Sequence, residues 1–166
     1  MLKNADISYI FEKQKILDKY IEDKWKIIKN DELLSKKIVA LYVEVSEFIN
    51  EQRSFKFWSN KSASSKEVLL EEYIDAIHFI FSIAIMIDYD FKDYKFDFKE
   101  NEINTAYLKC FESIANFNNN KSHNNYKIML DTFFSIAKIL NFSQEDLIVS
   151  YNKKNEINFK RQDNNY

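Results

Sequence analysis

Apolar residues in this chain recur every three or four positions, the spacing of a helix buried on one face. Six helices follow from that period. Residues 7–28 carry Ile10, Leu17, Ile21, Trp25 and Ile28 on one stripe. Residues 30–35 break the pattern, and 36–51 resume it with Ile38, Leu41, Val45, Phe48 and Ile49. Residues 66–87 are apolar nearly all round, through Val68, Leu69, Ile74, Ile77, Ile80, Phe81, Ala84 and Ile85, which marks a central helix. Ser64 with Glu67 makes a capping box ahead of it. A fourth helix spans 102–117 on Ile103, Tyr107, Cys110 and Ile114, and a fifth spans 126–140 on Leu130, Phe133, Phe134, Ala137 and Leu140. Ser143 with Asp146 opens the last, 144–158. Between them lie an aromatic and basic connection at 53–61 and an Asn-rich loop at 116–125 with an exposed His123. Residues 88–101 alternate aromatic and charged side chains, which suits a surface connection with partly buried rings or a short strand-like excursion. The fold class is all-α, a helical bundle forming a single domain over residues 1–166.

Composition supports the helical reading. The chain has no Gly and no Pro, so turns must rely on Asn, Asp and Ser, and a β-hairpin lacks its preferred residue. A net charge of −2 sets up no basic field towards nucleic acid or anionic membrane. No apolar run reaches the roughly 18 residues of a transmembrane helix, and the N-terminus has no signal-peptide core. Cys110 is the single cysteine, which excludes an intrachain disulfide and a Cys-rich zinc site. The chain reads as cytoplasmic.

The informative polar residues stand inside the apolar segments. Glu44 and Glu47 form an ExxE, Glu72 and Asp75 an ExxD, and residues three apart share a helix face. Carboxylates converging from two packed helices repel unless cations neutralise them, and hard divalent ions, above all magnesium, take oxygen ligands. For Glu44, Glu47 and Glu51 considered alone, a solvated acidic face is the simpler reading. His78 continues the second series as a hydrogen-bonded structural residue, a third metal ligand, or an orienter of a carboxylate. Two Glu-x-x-His repeats are lacking, which argues against a di-iron bundle.

Gln14 falls within the first apolar stripe, where an unsatisfied amide costs about 1–3 kcal/mol. Either neighbours satisfy it or a ligand with an amide-like edge does. Asp18, one turn on, would pass as solvated. Lys154, Asn158 and Arg161 share a face if the last helix persists. That face is either solvated or suited to oligophosphate oxygens, which Arg binds bidentately.

Four blocks in order resemble the dimeric all-α dUTPase family, relatives of the MazG-like nucleotide pyrophosphohydrolases: FEKQKILD, VEVSEFINEQRSFKFWSNK, LEEYIDAIHF and YNKKNEINFKRQDNNY. ExxE with ExxD suggests only the wider superfamily, and the closing block points to the dUTPase branch. The resemblance implies hydrolysis of dUTP, with dUDP as a second substrate, to dUMP. It implies Glu44, Glu47, Glu72 and Asp75 as ligands of two or more Mg2+ ions, with Mn2+ as a substitute. Glu47 would also orient or deprotonate the attacking water. It implies Lys154, Asn158 and Arg161 on the phosphates, and Gln14, Asp18 and Trp58 around uracil and its sugar. Phe79 would pack on the deoxyribose. It implies a homodimer, and the apolar content of 46% fits such an outlet. The family tends to have Gly just before its final Tyr, and Asn165 stands there. A MazG-like enzyme of other nucleotide specificity is one rival. Another is a non-catalytic helical interaction protein of phage-regulator type, and a phage regulatory protein stays open as a partner.

Overall fold

The structure, a computed structural model, describes residues 2–98 and 100–164. Asn165 and Tyr166 therefore lie outside the described residues. The helices are α1 (Asn4–Trp25), α2 (Asp31–Gln52), α3 (Lys66–Met86), α4 (Ile103–Asn119), α5 (His123–Ile139) and α6 (Gln144–Asp163). No strand occurs among the described residues, so the 88–101 segment is an irregular connection. None of the helices is long and apolar enough to cross a membrane.

α3 packs against α1, α2 and α6, as its all-round apolarity requires. Its course relative to each neighbour can be read from side-chain pairs. Gln14 meets His78 and Asp18 meets Ser82, so α1 and α3 run parallel. Phe48 meets Tyr73 while Glu44 lies beside Asp75, so α2 and α3 are antiparallel. α4 and α5 form an antiparallel hairpin through Phe117–Tyr126 and Ser113–Thr132. Tyr73 joins that hairpin to the centre. It is fully buried, stacks on Phe133 at 4.3 Å, and its hydroxyl donates to the Phe133 carbonyl at 3.0 Å. Such an aromatic pair adds about 0.5–1.5 kcal/mol beyond the area it buries.

The absence of glycine shows at the helix ends. Lys26, Arg53, Asp88 and Asn141 hold φ of 51°, 71°, 52° and 55°, a left-handed conformation that costs an L-residue about 1 kcal/mol. Asp88 and Asn141 are the residue types expected there, whereas Lys26 and Arg53 are not. Arg53 recovers part of the cost by tying down the connection that follows. Its Nε donates to the Lys61 carbonyl at 3.2 Å and Nη2 to Ser59 Oγ at 2.9 Å.

Several sequence expectations need correction. α1 begins and ends about three residues earlier than its apolar stripe suggested, leaving Trp25 and Ile28 exposed. α2 starts at Asp31 because Asn30 caps it, accepting from Leu33 N, and Leu34 is buried in its first turn. Ser65, not Ser64, caps α3, because Ser64 Oγ is drawn away to donate to Glu51. The Asn-rich stretch is mostly helical, with only 120–122 between α4 and α5. His123 is exposed as expected, and its Nε2 is 2.8 Å from the Ile87 carbonyl oxygen. The Ser143–Asp146 capping box forms. In the 88–101 connection Phe91 and Tyr94 are buried, and Tyr94 donates to the buried Asp131 at 2.6 Å.

Candidate active site

The parallel course of α1 and α3, with α6 alongside, puts the polar interruptions of all three in one place. Gln14 is 3% exposed. Its Oε1 accepts from Tyr151 Oη at 2.9 Å and lies 2.7 Å from His78 Nδ1, while Nε2 donates to Asp18 Oδ1 at 2.7 Å. An amide oxygen only accepts, so Nδ1 of His78 carries the imidazole proton. Nε2 is then a bare acceptor, buried and without a hydrogen-bond partner among the described residues. Burial, aided by the Lys154 charge, pushes His78 down to about 3, so the ring is neutral at any working pH. It stacks on Tyr151 at 4.7 Å and orients Gln14, not a carboxylate.

Asp18, which alone would pass as solvated, is buried. It is 6% exposed, because Lys37 of α2 and Ser82 of α3 close over it and both donate to Oδ2, the lysine at 2.8 Å. The neutral Gln14 amide and the charged Asp18 thus form one satisfied network, as buried polar groups require.

The antiparallel pairing of α2 and α3 builds the acidic centre. Glu44, Glu72 and Asp75 each bring a carboxylate oxygen to within 4.8 Å of the others. Glu47, one turn further along α2, is exposed and stands outside that group. Burial, with repulsion from Asp75, Glu47 and Glu72, pushes Glu44 up to about 7. Burial raises Glu72 and Asp75 as well. The three carboxylates offer only oxygen donors and repel one another, a combination that a hard divalent cation relieves.

Lys154 is not the solvated cation that its helix taken alone would allow. It is 5% exposed, and its Nζ pairs with Asp75 Oδ2 at 2.6 Å and Glu71 Oε1 at 2.9 Å. Burial disfavours the ammonium, but the two carboxylates outweigh it and hold the lysine above its ordinary value. Glu71 went unnoticed in the sequence. The signal was present, since it lies four residues before Asp75 on α3, but a half-exposed acid beside an ExxD has nothing to distinguish it until α6 supplies its partner.

A cleft of about 510 Å³ collects most of the remaining residues. Gln14, Asp18, Glu44, Asp75, His78 and Phe79 line it. Asn158 and Arg161 line it too, because α6 continues to Asp163 and keeps them on one face. Lys36, Lys37 and Glu22, none of them singled out in the sequence, also contribute. Glu47 and Glu72 open instead onto a neighbouring groove bordered by Tyr42, Ser46 and Asn50. The acidic cluster therefore sits between the two recesses. Trp58 lines neither. It is 64% exposed on the 53–61 connection, packed edge-on against Phe55 and Phe57.

An acidic triad beside a cleft, Arg161 and Asn158 of α6 on its wall and a buried glutamine amide in its lining suit an oligophosphate carrying a polar ring. No curated protein matches the chain. The family model described as dUTPase matches residues 6–166, nearly the whole sequence and both acidic motifs with it. The chain belongs to the all-α dUTPase family and is a dUTP diphosphatase, hydrolysing dUTP to dUMP and pyrophosphate.

Proposed function

We propose that hydrolysis takes place where the acidic cluster meets the cleft, and that Glu44, Glu72 and Asp75 hold the divalent cations, magnesium in the first instance and manganese as a substitute. The observation that carries this reading is the set of three carboxylate oxygens within 4.8 Å, with Glu44 pushed up to about 7 by burial and then by its acidic neighbours. When bound, such cations neutralise phosphate charge and make a coordinated water more acidic. Glu47, on the adjoining groove, completes the ligand set and orients or deprotonates the attacking water.

Lys154, Asn158 and Arg161 contact the phosphates from α6, stabilising the charge that develops on the pyrophosphate leaving group. Gln14 and Asp18 read the uracil edge and sugar from the cleft floor, and Phe79 packs on the deoxyribose, leaving little room for a 2′-hydroxyl. Gln14 is pre-oriented for that task by His78 and Tyr151. Trp58, which lines neither recess, reaches the base only through a movement of the 53–61 connection. The enzyme acts as a single-domain protomer in a homodimer in the cytoplasm and takes dUDP as a second substrate. Ile16, Val39 and Val43, 64%, 62% and 47% exposed on α1 and α2, are apolar side chains that a dimer could bury.

Pyrophosphate release from dUTP, dCTP, dTTP and UTP, with magnesium and then with EDTA, tests the assignment. Fast release from dUTP alone, lost in EDTA, is expected. Equal rates on several nucleotides would refute the uracil pocket, and full activity in EDTA would refute the metal. Glu47→Gln should lower kcat by at least about 10²-fold while leaving the fold intact, since the side chain is exposed. A folded variant with the wild-type rate would remove Glu47 from the mechanism.

A further inference from the structure

Lys154 has two anchors of different kinds. Asp75 belongs to the acidic triad, whereas Glu71, at the end of the same ammonium, does not. Asp75 Oδ2 is the nearer, at 2.6 Å against 2.9 Å for Glu71 Oε1. Asp75 is 18% exposed in its side chain and Glu71 is 50% exposed. The lysine thus reaches from the partly buried triad to a more exposed carboxylate. In this arrangement it supplies the triad with the positive charge that three crowded carboxylates demand.

A divalent cation taken up by Glu44, Glu72 and Asp75 would meet the ammonium head-on, because both need the same Asp75 carboxylate. Two cations competing for one carboxylate repel strongly at such range. The lysine then has one anchor left in reach, and that anchor already holds it. Glu71 Oε1 already accepts a hydrogen bond from Lys154 Nζ at 2.9 Å. It therefore keeps hold of the ammonium when Lys154 leaves Asp75.

We propose that Glu71 is a positioning residue that draws Lys154 off Asp75 when the divalent cation binds. Lys154 is in this view a built-in countercharge of the metal-free site, and Glu71 keeps it at the rim, where the phosphates enter. The inference rests on the metal and phosphate roles proposed above. It adds that metal affinity is set partly by a lysine and a glutamate that never touch the metal.

The test is Mn2+ binding to the full chain at pH 8 without nucleotide, followed by electron paramagnetic resonance. Lys154→Met keeps the packed stem and removes the competing charge, so Mn2+ should bind at least about tenfold more tightly. Glu71→Gln leaves Lys154 with Asp75 as its sole carboxylate anchor, and Mn2+ should bind about three- to fivefold more weakly. If Glu71 acts through Lys154, its substitution should have almost no effect in the Lys154→Met background. Lys154→Gln gives a second background should the methionine variant not fold. An equal Glu71→Gln penalty in both backgrounds would mean plain long-range attraction to the metal, and would overturn the exchange. Wild-type protein that binds no Mn2+ would overturn the metal site itself, and this inference with it. Normal Mn2+ binding with no effect of either single substitution would overturn the exchange alone.

Discussion

Glu44→Gln should make the metal-free protein more stable and the metal-loaded protein less so. In the folded chain Glu44 is raised from its ordinary 4.5 to about 7, first by burial and then by Asp75, Glu47 and Glu72. A carboxyl whose folded pKa is raised binds more protons folded than unfolded, so stability falls as pH rises through the window from 4.5 to about 7. At about 1.4 kcal/mol per pH unit that window sets a ceiling of about 3 kcal/mol. The side chain is only half-buried, and solvent screening reduces the figure to about 1–2 kcal/mol. Glutamine has nearly the same shape and no charge to lose. In EDTA at pH 8 the variant should therefore melt about 3–6 °C above wild type. The gain should shrink on acidification and vanish near pH 4, where the wild-type carboxyl is protonated in both states. At a magnesium concentration about a hundredfold above Kd the wild type gains about 2.7 kcal/mol from binding, which the variant lacks, and the order should reverse. Calorimetry or circular-dichroism melts at three pH values, with and without magnesium, give the answer. A variant no more stable than wild type in EDTA at pH 8, or a gain that ignores pH, would refute the crowding argument.

The remaining predictions concern buried groups outside the acidic triad. Gln14→Leu strands the donors of His78 and Tyr151 in the interior, so it should lower stability by about 1–3 kcal/mol in urea unfolding, in addition to any rise in KM. Tyr94→Phe leaves the buried Asp131 with Lys127 as its charged partner at 2.5 Å, and a loss of about 1–2 kcal/mol by the same measurement is expected. Cys110 is fully buried and pushed up to about 12 by that burial, so a thiol reagent at pH 8 should modify it only as fast as the protein opens. Fast labelling of native protein would contradict its place between α4 and the core.

The sequence by itself determined the six helices, most of their inner faces and the family. Ile38, Leu41, Val45, Phe48 and Ile49 were legible as one buried side of α2, and all five are buried, because a 3.6-residue period is a property of the local chain. The two acidic pairs were legible for the same reason, since each lies within one helix. Helix ends were less so. Ser65 displaces Ser64 as a cap only because Glu51, distant in sequence, takes the other serine. The site's burial was legible only in part, for Gln14 within its apolar stripe and for the acids of the central helix. Asp18 and Lys154 look like solvated charges on their own helices. They become interior groups because α2 and α3 close over the first, and because α3 meets α6 around the second. That Glu47 stands apart from the other three acids, and that Trp58 lines neither recess, are likewise results of packing. A local pattern fixes which way a side chain points from its own helix. What it meets there depends on contacts between segments far apart in the chain, and only the assembled structure decides those.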